Sequence, residues 1–120
     1  MDFAVVDPRV QQSRVFPEPT EEVILANLVE GILYAVLDEA PHTYIYCAAN
    51  EEASGSYWLG YRDDQAEGGW HAGDGLLGLD VVRSAFRKYL HGDRSWRVDF
   101  RWAKQEDIDA DGAIHGLGFV

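Results

Sequence analysis

The sequence is poor in basic residues, and this shortage narrows the range of partners. Ten lysines and arginines stand against 21 aspartates and glutamates, so the net charge is −11. Nucleic acid would be repelled, because affinity for its backbone comes from basic side chains that displace counterions. We therefore expect no nucleic-acid partner. The charge favours a basic protein, since opposite fields steer association, although an acidic chain that is simply soluble is the alternative.

Cysteine and long apolar runs are also scarce. Cys47 is the single cysteine, so it cannot form an internal disulfide, which is typical of a reducing compartment. No run approaches the roughly 18 consecutive apolar residues of a transmembrane helix. The N-terminus MDFAVVDPRV lacks the basic and apolar regions of a signal peptide. We expect a cytoplasmic protein without a membrane partner, folded as a single domain over residues 1–120.

The first part of the chain is predicted as an irregular segment followed by a helix. Residues 1–19 form this irregular N-terminal segment, with one brief strand at MDFAVVD, because three of the four prolines fall in PRVQQSRVFPEP. Thr20 is then a good N-cap for a helix that closes at Gly31.

The rest of the chain alternates between strand and helix patterns. Apolar and polar residues alternate in four stretches, which predicts strands at ILYAVL, TYIYCAA, SYWLGYR and SWRVDFRWAK. Between the last two, the glycine-rich GWHAGDGLLGL predicts a loop or a short crossing strand. Apolar residues at helical spacing then predict a second helix that Asp80 caps and Gly92 ends. The fold class is therefore α+β, with a single-layer antiparallel or mixed sheet of about five strands and two helices packed on one face. Residues 105–120 are predicted as an acidic tail.

The tail contains DIDADGAI, which fits the opening of a calcium-binding loop. Asp107, Asp109, Asp111 and Gly112 match its first six positions, but Gly118 stands where a bidentate carboxylate is needed. The four histidines show no zinc-ligand spacing with one another or with Cys47. We predict no metal site, no cofactor and no catalytic residue.

The acidic residues of the central turns are the predicted binding site. Residues 50–74 carry a net charge of −5, which suits a surface that faces a basic partner, although solvated loops are the alternative. The predicted contacts are Glu51, Glu52, Asp63, Asp64, Glu67, Trp70 and Asp74. By contrast, residues 80–104 are +4 by themselves, which predicts either two faces of opposite sign or an internal match with acidic loops.

Residues 57–102 resemble the deaminase-inhibitor type of immunity proteins from bacterial polymorphic and interbacterial toxin systems. The stretch LGLDVVRSAFRKYLHGDRSWRVDFRW carries the pattern, with Asp80, Ala85, Phe86, Leu90 and Trp102 in corresponding places. The resemblance implies a cytosolic antitoxin, not an enzyme, that binds a cognate toxin C-terminal domain and occludes its active site.

We expect a monomer or a small homo-oligomer, and two other classes stay open. A small cytosolic enzyme requires convergent polar groups in a pocket. An adaptor or regulatory subunit predicts an exposed apolar patch.

Overall fold

The computed structural model describes residues 1–8, 12–40, 43–62, 69–100 and 102–104. They form one open antiparallel sheet with two helices on one face, which confirms the predicted α+β class. The sheet has seven strands instead of about five, in the order β2-β1-β3-β4-β5-β6-β7. The strands are β1 (Asp2–Asp7), β2 (Gln12–Pro17), β3 (Tyr34–Ala40), β4 (Thr43–Ala49), β5 (Ser56–Arg62), β6 (Gly69–Gly78) and β7 (Trp102–Lys104); the helices are α1 (Glu21–Asn27), α2 (Leu79–Leu90) and a 3-10 helix (Arg94–Val98).

The expectation of an irregular segment over residues 1–19 is corrected by the β1–β2 pair. Phe16 in β2 stacks on Phe3 in β1 with ring centroids 6.0 Å apart, so the pair contributes to the core. Proline suggested loop, but Pro17 ends β2, and β2 lies at the edge of the sheet. A missing N–H at an edge costs no hydrogen bond of the ladder.

Helix α1 begins as predicted and ends earlier. The Thr20 hydroxyl accepts a hydrogen bond from the Val23 amide at 3.2 Å, which confirms the cap. The helix stops at Asn27, and Gly31, at φ +95°, belongs to the connection that follows.

Helix α2 begins one residue before the predicted cap. Gly78 occupies the N-cap position and provides no side-chain hydrogen bond. Asp80 lies inside the first turn, where its charge still favours the positive end of the helix dipole.

The core lies between the sheet and the two helices. Tyr57, Leu59 and Tyr61 of β5 face the helices, as their alternation predicted. Helix α2 buries one stripe at helical spacing, also as predicted. The buried residues of that stripe are Val82, Ala85, Phe86 and Tyr89.

The predicted strand SWRVDFRWAK is largely wrong. The Asp93 carboxylate accepts a hydrogen bond from the Ser95 amide at 2.9 Å and caps the 3-10 helix. Within this helix Trp96 is fully buried, whereas Val98, which the alternation of a strand would place on the same face as Trp96, is 84% exposed. Within the described part of residues 95–104, strand pairing is confined to β7. Local capping and burial of the Trp96 indole override the alternating pattern in the residues before it.

Candidate functional site

The β4–β5 turn, which contains Glu51 and Glu52, is held by the side chain of Asn50. The Glu52 amide donates a hydrogen bond to Asn50 Oδ1 at 3.0 Å. Asn50 Nδ2 donates to the Gly75 carbonyl of β6 at 2.9 Å. The Asn50 side chain, which follows β4, therefore reaches across β5 and ties the turn to β6. Glu51 and Glu52 remain exposed.

Strand β6 bulges beside this turn. Tyr57 pairs with Leu77 and Leu59 with Ala72, so residues 73–76 all lie opposite Trp58. Gly75 has a φ of +82°, and an added Cβ would lie 2.5 Å from Trp58 Cε2 and 2.7 Å from Asn50 Nδ2. The half-buried Trp58 indole thus packs directly on the Gly75 backbone. The prediction of a loop or short crossing strand here gives way to a ten-residue strand that glycine allows to bulge.

A groove of about 710 Å³ lies between the turn and the connection that follows α1. We call it the turn groove; it is lined by residues 30–33, 49–51 and 54–57. Ile32 and Tyr57 are buried and provide an apolar floor, whereas Glu30 and Glu51 are exposed. An apolar floor with an acidic rim suits a basic loop that carries an apolar side chain.

The remaining predicted contacts fall in different places. Asp74 belongs to the β6 bulge near the turn, and Trp70 pairs with Tyr61 towards the other end of β5. Asp63, Asp64 and Glu67 lie outside the described residues.

The face of the sheet away from the helices forms a second surface, which we call the open face. Tyr46 is only 3% exposed there, because its ring lies against the backbone of Gly60, where an added Cβ would overlap it. The Tyr44 ring lies 6.2 Å from the Tyr46 ring. The described side chains of the open face include Asp2, Ala4, Val6, Val15, Tyr34, Val36, Asp38, Tyr44, Tyr46, Ala48, Trp58 and Arg62.

Two carboxylates lie side by side at one corner of the open face. Asp2 and Asp38 are directly opposite each other on β1 and β3, and both are exposed. Partial burial, and then the charge of Asp2, raise the pKa of Asp38 above its ordinary value. Neither carboxylate forms an ion pair with a lysine or arginine of the described part of the chain. Like charges in this arrangement destabilise a sheet.

Most of the described basic side chains of residues 80–104 are engaged inside the protein. Lys88 pairs with Asp99 and Arg94 with Glu39, each at 3.2 Å. Arg83 donates to the Leu25 carbonyl at 3.2 Å, and Arg97 lies over the rings of Tyr61 and Trp96 at 4.9 and 5.3 Å. Of these four contacts, only the Arg94–Glu39 pair joins the basic segment to a carboxylate outside it.

Several exposed carboxylates form no ion pair of the kind that Asp99 and Glu39 form. Within the described ranges, no lysine or arginine pairs with the carboxylates of Asp2, Glu22, Glu30, Asp38, Glu51 or Glu52. Sequence reasoning found Glu51 and Glu52 through their charge. It missed Asn50, Asp2 and Asp38, because only the strand register and the bulge bring their partners near.

Among the described residues, neither the carboxylates and histidines nor the Cys47 thiol are arranged for metal or thiol chemistry. Where side chains are described, no three or more His, Cys, Asp or Glu lie close enough to hold a metal ion. The acidic DIDADGAI stretch lies outside the described residues. Burial raises the pKa of the Cys47 thiol to about 12, so the thiol is protonated at neutral pH and is a poor nucleophile.

Comparison with protein-family models, curated proteins and solved structures finds no match to this chain. Neither helix in the described ranges combines the length and apolar character needed to cross a bilayer.

Proposed function

We propose that this chain is an immunity protein, an antitoxin that binds a cognate, basic bacterial toxin C-terminal domain and occludes its active site. One observation carries the proposal: most of the described basic residues of 80–104 contact groups inside the protein, whereas several exposed carboxylates pair with no described lysine or arginine. A basic protein approaching this surface meets uncompensated negative charge. Such a field favours rapid association with a cationic domain.

The turn groove provides one place for contact. Its floor is apolar and its rim carries Glu30 and Glu51. Asn50 and the Gly75 bulge fix the turn before binding, so little conformational entropy is lost when a partner docks. Inhibition is steric and electrostatic, since a bound domain of this size covers a substrate groove without chemistry of its own. That the chain is not an enzyme stays a prediction.

The first experiment is capture of the toxin followed by protection. The tagged chain is used to recover partners from native cells at low and at high salt, and the captured toxin domain is then expressed in a bacterial host with and without the chain. We expect capture that weakens with salt and survival only when the chain is present. Recovery of a metabolic assembly, or failure to protect, contradicts the proposal.

Matched charge reversals locate the contact. The single variant Glu51→Lys is expected to weaken toxin binding about fivefold, because one attractive charge becomes repulsive. Glu22→Lys, at an exposed position of α1, is the control and should bind nearly as the native chain does. Equal losses in both variants would mean that only net charge matters. Equal affinity in the turn variant and the native chain would remove the turn from the interface.

A second candidate function rests on apolar exposure beside α2. Leu76, Val81 and Val98 are 57%, 40% and 84% exposed. Val81 lines a groove of about 450 Å³ together with Leu77, Ser84, Ala85, Asp99 and Phe100. An exposed apolar patch of this kind favours an adaptor or regulatory subunit. Val81→Asp would abolish partner capture under this alternative and leave it intact under the immunity proposal.

A further inference from the structure

The open face differs from the usual uncovered face of an antiparallel sheet, which is polar. The strand register places a row of apolar positions across its β2–β1–β3 part, from Val15 through Ala4 to Val36. Tyr46, which follows Val36 in the register, is only 3% exposed, so the accessible part of the row ends at Val36. Val15, at the outer edge of this row, is 61% exposed. A surface of aliphatic and aromatic side chains on a one-layer sheet is the kind that a partner covers.

The charges on the open face indicate which partner. Its described ionisable side chains are Asp2, Asp38 and Arg62, and Tyr44 lies between Asp38 and Arg62 in the register. The two carboxylates are exposed and adjacent, and no described lysine or arginine pairs with them. The nearby Met1 ammonium forms its ion pair with Glu18, at 3.0 Å. A lysine or arginine brought by a partner would remove their repulsion, and the face of the neighbouring Tyr44 ring also attracts a cation.

A second copy of the chain fits this face poorly. It would bring another set of carboxylates and a further net charge of −11. Like-charged surfaces in contact are disfavoured by several kcal/mol. Charge complementarity therefore selects a basic protein surface over self-association.

We infer that the open face is the docking surface for a basic protein partner, with lysine or arginine side chains against Asp2 and Asp38 and apolar side chains against Val36 and Tyr44. This inference rests on the proposed function and adds the location of the main interface. It places the acidic turn of Glu51 and Glu52 at the rim of the contact, beyond the Trp58 end of the face.

The test uses a synthetic deca-arginine peptide as the basic probe and the isotope-labelled full chain as the target. Amide chemical shifts are followed during titration at low salt, and the affinity is measured by calorimetry. We expect the largest shifts at Val36, Asp38 and Tyr44. Shifts confined to the helix layer or to residues 50–56 would overturn the inference.

Variants separate specific docking from general attraction between opposite charges. The double variant Asp2→Asn/Asp38→Asn should lower the affinity about tenfold, and Val36→Lys should lower it at least as much. The matched control Glu51→Gln/Glu52→Gln removes the same charge at the turn and should lower it about twofold, as expected for a rim contact. Equal losses in the two neutralised pairs would overturn the inference.

Two further outcomes keep this test distinct from that of the proposed function. If sedimentation shows that the native chain dimerises and Val36→Lys makes it monomeric, the open face binds a second copy and the inference is wrong. If a toxin is captured but Val36→Lys binds it with native affinity, the inference fails while the proposed function stands. If no toxin is captured but the peptide maps to the open face as expected, the proposed function fails while the face remains a cation-binding surface. Thermal unfolding of each variant verifies that it is folded.

Discussion

Gly75 and Gly55 have almost the same backbone conformation and different surroundings, so they provide a matched test of the bulge. Their φ angles are +82° and +83°. An added Cβ at Gly55 has no atom within 4 Å, whereas at Gly75 it would lie 2.5 Å from Trp58 Cε2 and 2.7 Å from Asn50 Nδ2. Alanine at either position carries the same cost for a left-handed conformation, about 1 kcal/mol. Only alanine at Gly75 also displaces an indole and an amide.

The expected difference follows from these contacts. Overpacking costs about 1 to 3 kcal/mol, and loss of the Asn50–Gly75 hydrogen bond adds about 1 kcal/mol. At about 4 °C per kcal/mol for a domain of this size, Gly55→Ala should lower Tm by about 4 °C. Gly75→Ala should lower it by a further 8 to 16 °C or so.

The assay is thermal and urea unfolding of both variants, repeated with Trp58→Ala. Removing the indole should recover most of the additional cost of Gly75→Ala, because the larger of the two overlaps is then absent. Equal Tm values for Gly55→Ala and Gly75→Ala would refute the packing of Trp58 on the bulge. An additional cost unchanged by Trp58→Ala would assign it to Asn50 alone.

Three further predictions follow from single groups. Thr20→Ala should lower the free energy of unfolding by about 1 kcal/mol, and Thr20→Ser by much less; equal losses in urea unfolding would contradict the cap. The pKa of Asp38 is raised in the folded protein, so stability is lost as the pH rises through that pKa. Asp38→Asn should therefore stabilise the protein at neutral pH by up to about 0.5 kcal/mol after screening. The difference between variant and native chain should vanish well below pH 3.8, and an equal effect at both pH values would exclude a charge effect. Cys47 should react with a thiol reagent at neutral pH only after unfolding, and reaction in the native state would disprove its burial.

The sequence was most informative where burial and local pattern agree. The period-two runs of β3, β4 and β5 predicted the central meander, and the spacing of Val82, Ala85 and Phe86 predicted the buried stripe of α2. These patterns are dependable because one face of each element is buried in the same core.

Prediction failed where an element depends on a distant partner. Strand β2 is defined by pairing with β1, and the prolines in and around it suggested a loop. Strand β6 is rich in glycine, and its bulge exists because Trp58 occupies the space above Gly75. The site was affected in the same way: Asp2 and Asp38 are far apart in the chain, and only strand register makes them neighbours.

The charge distribution links these observations to binding. Most of the described basic side chains of residues 80–104 contact groups inside the protein, so a partner that approaches the described surface meets mainly exposed carboxylates. These carboxylates repel one another in the free chain, and added salt weakens that repulsion as the Debye length falls from about 10 Å at 0.1 M to about 3 Å at 1 M. The same screening weakens attraction to a cationic partner. Salt should therefore stabilise the free fold while it weakens the complex, which distinguishes a charge-assembled interface from the apolar docking that the groove beside α2 would support.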